Sequence, residues 1–182
     1  MKIVRYFMLA AAAFLLLAPV AHAQQGPAYL PGYFSLMGGG FVPEGDLNSD
    51  NYDANTGFSG LLAFGYMANP FVGFQTDIGY FETSGDNNLQ VSAIPVVVSL
   101  KVGIPIAFIE PYVLGGGGVY FASTETAFLN ENSIEFGAHA AAGINFNFGR
   151  FQIGAEARYI WLEASNMNVD GVMAMGKIGT RF

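Results

Sequence analysis

From residue 32 onward the chain is written in segments of ten to fifteen residues in which apolar side chains alternate with polar or small ones. A strand points successive side chains to opposite faces, whereas a helix would show a 3.6-residue period, and that period is absent. In residues 134–148 the even positions Ile134, Phe136, Ala138, Ala140, Ala142, Ile144, Phe146 and Phe148 are all apolar. The odd positions include Glu135, Gly137, His139, Gly143, Asn145 and Asn147. Residues 151–162 repeat the pattern, with Phe151, Ile153, Ala155, Ala157, Tyr159 and Trp161 on one face and Gln152, Glu156 and Arg158 on the other. Residues 92–104 set Ile94, Val96, Val98, Leu100 and Val102 against Ser99, Lys101 and Gly103.

The same reading predicts eight strands, near 32–42, 57–68, 71–82, 91–103, 109–122, 134–148, 151–162 and 171–182. Their connections alternate as well. Asn69-Pro70, the stretch around Pro105 and Gly149-Arg150 are tight turns, while 43–56, 83–90, 123–133 and 163–170 are longer and polar. Strict alternation of short and long connections is the pattern of an outer-membrane barrel, with short turns on the periplasmic side and long loops outside. A β-sandwich would bury its apolar face and expose charge. Only 12% of this chain is charged, however, against 52% hydrophobic, and its non-apolar faces are mostly Gly, Ser, Asn and Gln. Small polar residues suit the narrow interior of an eight-stranded barrel, and Gly115-Gly116-Gly117-Gly118 would pack nothing in a sandwich core. The expected fold is therefore all-β: a closed, eight-stranded, antiparallel up-and-down meander with apolar residues facing lipid.

Aromatic residues fall where such a barrel meets the membrane interfaces. The lower row is expected to hold Tyr66, Phe74, Phe146, Phe148 and Phe151, and the upper row Phe58, Tyr80, Tyr120, Phe136, Tyr159 and Trp161. Leu62, Ile78, Val96, Leu114, Ala140 and Ile153 lie between. At the N-terminus, Lys2 and Arg5 precede an apolar run from Phe7 to Ala21, and Ala21-His22-Ala23 supplies a small-x-small cleavage site. Residues 1–23 are expected to be a removed signal peptide, with 24–31 a short periplasmic segment and 32–182 the barrel. Removal leaves five basic and fourteen acidic residues, a net charge of −9, which argues against nucleic acid as a partner. The absence of Cys removes disulfides and thiolate chemistry.

The chain closes on Met175-Gly176-Lys177-Ile178-Gly179-Thr180-Arg181-Phe182. A terminal Phe after an alternating strand resembles the signal read by the outer-membrane insertion machinery. Together with Pro111-Tyr112-Val113-Leu114-Gly115-Gly116-Gly117-Gly118 and Gly154-Ala155-Glu156-Ala157-Arg158-Tyr159, the chain resembles the small outer-membrane barrels of the OmpA transmembrane domain, OmpX and Opa type. The resemblance spans nearly all of residues 30–182 and implies a Gram-negative outer-membrane location. Thr180 and Gly176 dilute the hydrophobic positions before Phe182, and the periplasmic peptidoglycan-binding domain of OmpA-like proteins is not expected here.

The titratable residues bear on whether the chain carries chemistry. Outer-membrane lipid A deacylases resemble this fold but carry a His and a Ser on the lipid-facing side of one strand, where this chain has Ala138, Ala140 and Ala142. His139 points inward and reads as a lumen-packing residue rather than a general base. Two-histidine metal spacing is absent. Asp46, Asn48 and Asp50 open like a calcium loop, but Asn51 replaces its glycine and Gly57 its closing Glu, so no metal or cofactor is expected. The long loops carry Glu44, Asp46, Asp50, Asp53, Asp86, Glu125, Glu131, Glu163 and Asp170 and no Lys or Arg. They read as a solvated acidic rim, the sharper alternative being a divalent-cation bridge to anionic lipopolysaccharide. Alternation turns Asp77, Lys101, Glu156, Arg158 and Lys177 inward, where buried charges persist when paired. They are expected to form a lumen ion-pair network. The overall expectation is a non-enzymatic structural or surface-interaction protein contacting outer-membrane lipid and lipopolysaccharide. The alternative is a narrow porin-like channel for small or hydrophobic solutes.

Overall fold

The computed structural model describes residues 30–44, 55–85, 90–125, 130–164, 167–168 and 170–182, with backbone alone at 124–125, 130–132, 163–164 and 167–168. Its strands are β1 (Gly32–Pro43), β2 (Gly57–Met67), β3 (Val72–Ser84), β4 (Gln90–Gly103), β5 (Ile109–Glu125), β6 (Asn130–Phe148), β7 (Phe151–Ala164), β8 (Met167–Asn168) and β9 (Gly171–Arg181). Neighbours pair in the order β6-β5-β4-β3-β2-β1-β9-β7, and a β6–β7 ladder closes the circle. The two-residue β8 pairs only with the far end of β7. Eight long antiparallel strands thus form a closed meander, as the alternation requires. The predicted signal-peptide site at Ala21 and Ala23, and Asp46, Asp50, Asp53 and Asp86, lie outside the described residues.

Short turns join the strands at one end. Asn69 Oδ1 accepts from the backbone of Phe71 and Val72 at 2.9 Å each, an Asx cap that closes the β2–β3 turn. Gly149, at φ 63°, takes the left-handed position in the β6–β7 turn. At the opposite end the ladders outrun the apolar pattern: β5 and β6 stay paired out to Glu125↔Asn130, well inside the predicted 123–133 loop. Hydropathy marks where lipid ends, whereas backbone pairing continues into water through polar residues.

The outer face is apolar around most of the circumference, with Phe58, Tyr66, Phe74, Tyr80, Phe136, Phe148, Phe151 and Trp161 exposed on it. Phe146 and Tyr159 are part-exposed on the same face. Phe108 joins the lower row, with its ring 6.4 Å from Phe146 and 6.0 Å from Phe148. One strand departs from the expectation. Tyr120 is 1% exposed and Leu114 4%, so both point into the lumen, while Val113 and Phe121 face outward. Four consecutive glycines separate Leu114 from Val119, and with no side chains there the sequence loses the phase of β5.

The lumen is filled in two tiers. Toward the long-connection end lies an apolar cluster that includes Met37, Phe41, Leu61, Phe81, Val97, Tyr120, Ile160, Leu162, Met173 and Met175. The Phe41 and Phe81 rings meet within it, 4.8 Å apart. Toward the short-turn end the buried residues turn polar: Ser35, Gln75, Asp77, Ser99, Lys101, Glu110, Asn145, Gln152, Glu156, Arg158 and Lys177. Glycines open room for inward rings, as a Cβ on Gly65 would overlap Tyr33 and one on Gly143 would overlap Tyr112.

Candidate functional site: the polar tier of the lumen

Strand alternation places residues two apart on one face, so β3 delivers Gln75 and Asp77 together and β7 delivers Glu156 and Arg158 together. Arg158 joins them across the barrel. Its Nη2 lies 2.8 Å from Asp77 Oδ2 and 2.7 Å from Glu156 Oε1, and its Nε donates to the same Glu156 oxygen at 3.0 Å. Gln75 Nε2 donates to Asp77 Oδ1 at 2.8 Å, and the Tyr33 hydroxyl donates to Gln75 Oε1 at 2.8 Å. Both free oxygens of the aspartate therefore have donors, the condition under which a buried charge is tolerated.

Lys177 does not meet Glu156 directly. Its Nζ donates to the Tyr112 hydroxyl at 2.7 Å, and that hydroxyl donates to Glu156 Oε2 at 2.6 Å. The register explains the relay: Lys177 pairs with Gly154 and Glu156 with Met175, so their side chains are offset along the lumen. Lys101 belongs to a second cluster. Its Nζ lies 2.7 Å from Glu110 Oε1, and Glu110 also accepts from Asn145, Asn147 and Arg181 at 3.1, 3.3 and 3.2 Å. The same ammonium sits 4.7 Å from the Tyr33 ring centroid and 4.3 Å from that of Tyr112, while Lys177 Nζ is 4.4 Å from Tyr112. Rings near desolvated cations add attraction beyond the ion pairs.

All five predicted lumen residues are buried in this tier, but in two groups. Asp77, Glu156 and Arg158 are in direct contact, Lys177 is attached through a tyrosine, and Lys101 pairs elsewhere. Sequence reasoning missed Glu110, Tyr112 and Arg181. Glu110 and Tyr112 share the inward phase of β5, which the glycine run hides, whereas Arg181 shares the phase of Lys177 on β9, so parity along that strand was signal enough to find it.

His139 is 2% exposed, with Nε2 2.7 Å from Ser99 Oγ and no hydrogen-bond partner at Nδ1. Gly116, the residue between them on β5, lets these two side chains meet across a strand. A Ser–His pair is two parts of a hydrolytic triad, yet the third part orients the imidazole through Nδ1, and here that atom is bare. Among the described residues no three His, Cys, Asp or Glu side chains could hold a metal ion. Glu44 and Asp170 mark the opposite rim, where the Glu44 N–H donates to the Asp170 carbonyl at 2.7 Å and Asp170 Oδ1 accepts from the Leu162 N–H at 3.1 Å.

Comparison with known proteins gives a consistent picture. Residues 7–179 match the family model described as outer membrane protein beta-barrel domain. A search of curated proteins finds no match. Among solved structures, Neisserial surface protein A (NspA) is similar with a TM-score of 0.69 at 16% identity, covering 83% of this chain and 97% of its own. OprG, an outer membrane protein from Pseudomonas aeruginosa, is similar with a TM-score of 0.55 at 14% identity, covering 85% and 98%. Ail, the attachment invasion locus protein of Yersinia pestis, is similar with a TM-score of 0.55 at 16% identity, covering 83% and 97%. At these identities the likeness is one of fold.

Proposed function

As the chain belongs to the outer membrane protein β-barrel family, we propose that within the Gram-negative outer membrane it acts as a non-conducting, non-enzymatic scaffold that presents its acidic loops at the cell surface. The observation that supports this reading is the filled lumen. An ionic tier whose charges are spent on one another underlies an apolar tier closed by Phe41 and Phe81. In an eight-stranded barrel such side chains occupy the whole interior. The absence of an orienting partner for His139 supports the non-enzymatic part of the proposal.

Charge bears on what the loops would meet. Four of the five basic residues outside the predicted signal peptide, Lys101, Arg158, Lys177 and Arg181, are spent on lumen carboxylates or Tyr112, and the fifth is Arg150 in a short turn. The long connections are left with acids alone. Ail has been solved in complex with the heparin analogue sucrose octasulfate. A polyanion of that kind would be repelled by this rim, so the surface partner we propose is cationic, or is anionic lipopolysaccharide reached through divalent cations. Planar-bilayer recording of the refolded chain tests the reading. We expect no unitary conductance; discrete, reproducible openings would favour the narrow channel instead.

A further inference from the structure

Most glycines of the barrel are accounted for by its own packing: a Cβ on Gly39, Gly116 or Gly118 would run into the backbone of the next strand. Three are not. Gly38 of β1 pairs with Gly60 of β2 on one side and Gly176 of β9 on the other, and all three lie in the outward phase of their strands. A Cβ there would find its nearest atom at 4.0, 3.5 and 3.9 Å, so nothing inside the barrel forbids a side chain. At Gly60 that nearest atom belongs to Phe58, an exposed ring on the same face. Glycine in a strand sacrifices stability, and here that sacrifice leaves a depression of about 450 Å³ on the membrane-facing surface, walled by Leu36, Phe58 and Ile178.

We propose that this depression is a cradle for one acyl chain of outer-leaflet lipopolysaccharide. Its walls are hydrocarbon and aromatic, and its floor is backbone already engaged in the β1–β2 and β1–β9 ladders, so it offers no hydrogen bond to a headgroup. The groove is continuous with the lipid face of a membrane barrel, which makes its occupant hydrocarbon. It runs inward from Phe58, in the extracellular aromatic row, so the chain that enters it comes from the outer leaflet, which in Gram-negative bacteria is lipopolysaccharide. A second copy of the barrel fits less well. A two-fold contact would set hollow against hollow and leave a void, and voids forfeit the close packing that stabilises an interface.

The test is photo-crosslinking of the full chain in Gram-negative outer membranes. Benzoylphenylalanine replaces Leu36 at the groove wall in one protein and Val98 in another; Val98 is an exposed lipid-facing residue of β4, three strands round the barrel. Adducts are identified by mass. The cradle predicts at least about five-fold more lipopolysaccharide adduct at Leu36 than at Val98. It also predicts that Gly176→Leu, or Gly38→Val should the first not assemble, lowers the Leu36 yield to that of Val98. Assembly is checked by heat-modifiable mobility. Equal yields at the two positions, a yield that survives groove filling, a phospholipid adduct, or a crosslink to a second copy of the chain would each overturn the proposal.

Discussion

Glu110 carries more of the polar tier than any other single side chain, accepting from Lys101, Asn145, Asn147 and Arg181. Replacing it by Gln leaves the Lys101 ammonium, 1% exposed, beside a neutral amide. Breaking a buried pair from one side costs about 3–5 kcal/mol, and the lower end applies here because Arg181 sits at the wetter mouth. Urea unfolding in lipid vesicles is expected to show that loss for Glu110→Gln, with partial recovery on adding Lys101→Met. Glu82→Gln, whose carboxylate bonds the exposed Tyr80 at the rim, is expected to stay within about 0.5 kcal/mol of the parent. Parent-like stability of Glu110→Gln would mean that Lys101 is not held by that pair. A second residue-scale contrast concerns glycine. Gly65→Ala drives a methyl into the Tyr33 ring, which Gln75 and Lys101 hold in place, and is expected to cost about 1–3 kcal/mol in the same assay. Gly38→Ala faces open space and is expected to be neutral or to gain up to about 1 kcal/mol. Parity in the sequence reached Asp77, Lys101, Glu156, Arg158 and Lys177 because each lies in a strand with bulky neighbours that fix its phase. It did not reach Glu110, two residues from a turn and just below the glycine run. Nor can parity say which of several inward charges meet, since that depends on offsets between strands.

At the level of strands, legibility followed side-chain contrast. Residues 134–148 and 151–162 alternate strongly, and the lumen and lipid faces of β6 and β7 agree with that reading. In β5 the contrast vanishes at 115–118, and Leu114 and Tyr120 went to the wrong face. Their inward place is set from outside the strand: Lys101 pairs with Leu114 and Ser99 with Gly116, so the phase of β4 dictates that of β5. Closure of the barrel rests on β9, which pairs with β1 from Pro43↔Gly171 down to Tyr33↔Arg181. The backbones of Gly32 and Phe182 then exchange two hydrogen bonds of 2.9 Å. The Phe182 ring lies over Gly32, where a Cβ would overlap it, and 6.1 Å from the Phe64 ring. Phe182 thus fastens the seam as well as resembling an assembly signal. Phe182→Ser is expected to cut the folded yield in outer membranes several-fold, whereas Phe71→Ser, which removes a still more exposed ring from a turn, should leave it near parental. Equal yields, read as the heat-modifiable fraction, would show that the terminal ring does nothing beyond adding apolar surface.

For the molecule as a whole, two properties can be read without knowing a ligand. The predicted cleavage after Ala23 gives an intact mass beginning at Gln24 for protein extracted from outer membranes; a mass that retains Met1 would overturn the signal-peptide reading. The other property is resistance to detergent. Every strand from β1 to β9 apart from the short β8 is paired on both edges, so SDS finds no free edge at which to begin stripping backbone hydrogen bonds. The lumen adds to this, since unravelling β7 would carry Arg158 away from Asp77 on β3, and Glu156 away from the Tyr112 hydroxyl on β5. Unboiled protein is therefore expected to run as a compact band distinct from the boiled one. Because the seam and the ionic tier must yield together, Glu110→Gln should lower the conversion temperature while keeping both bands, and Phe182→Ser should lower the compact fraction even before heating. If native-membrane protein ran identically with and without boiling, the closed circle of ladders would not describe the protein in its membrane, and the lumen network would lose the confinement on which its energetics depend.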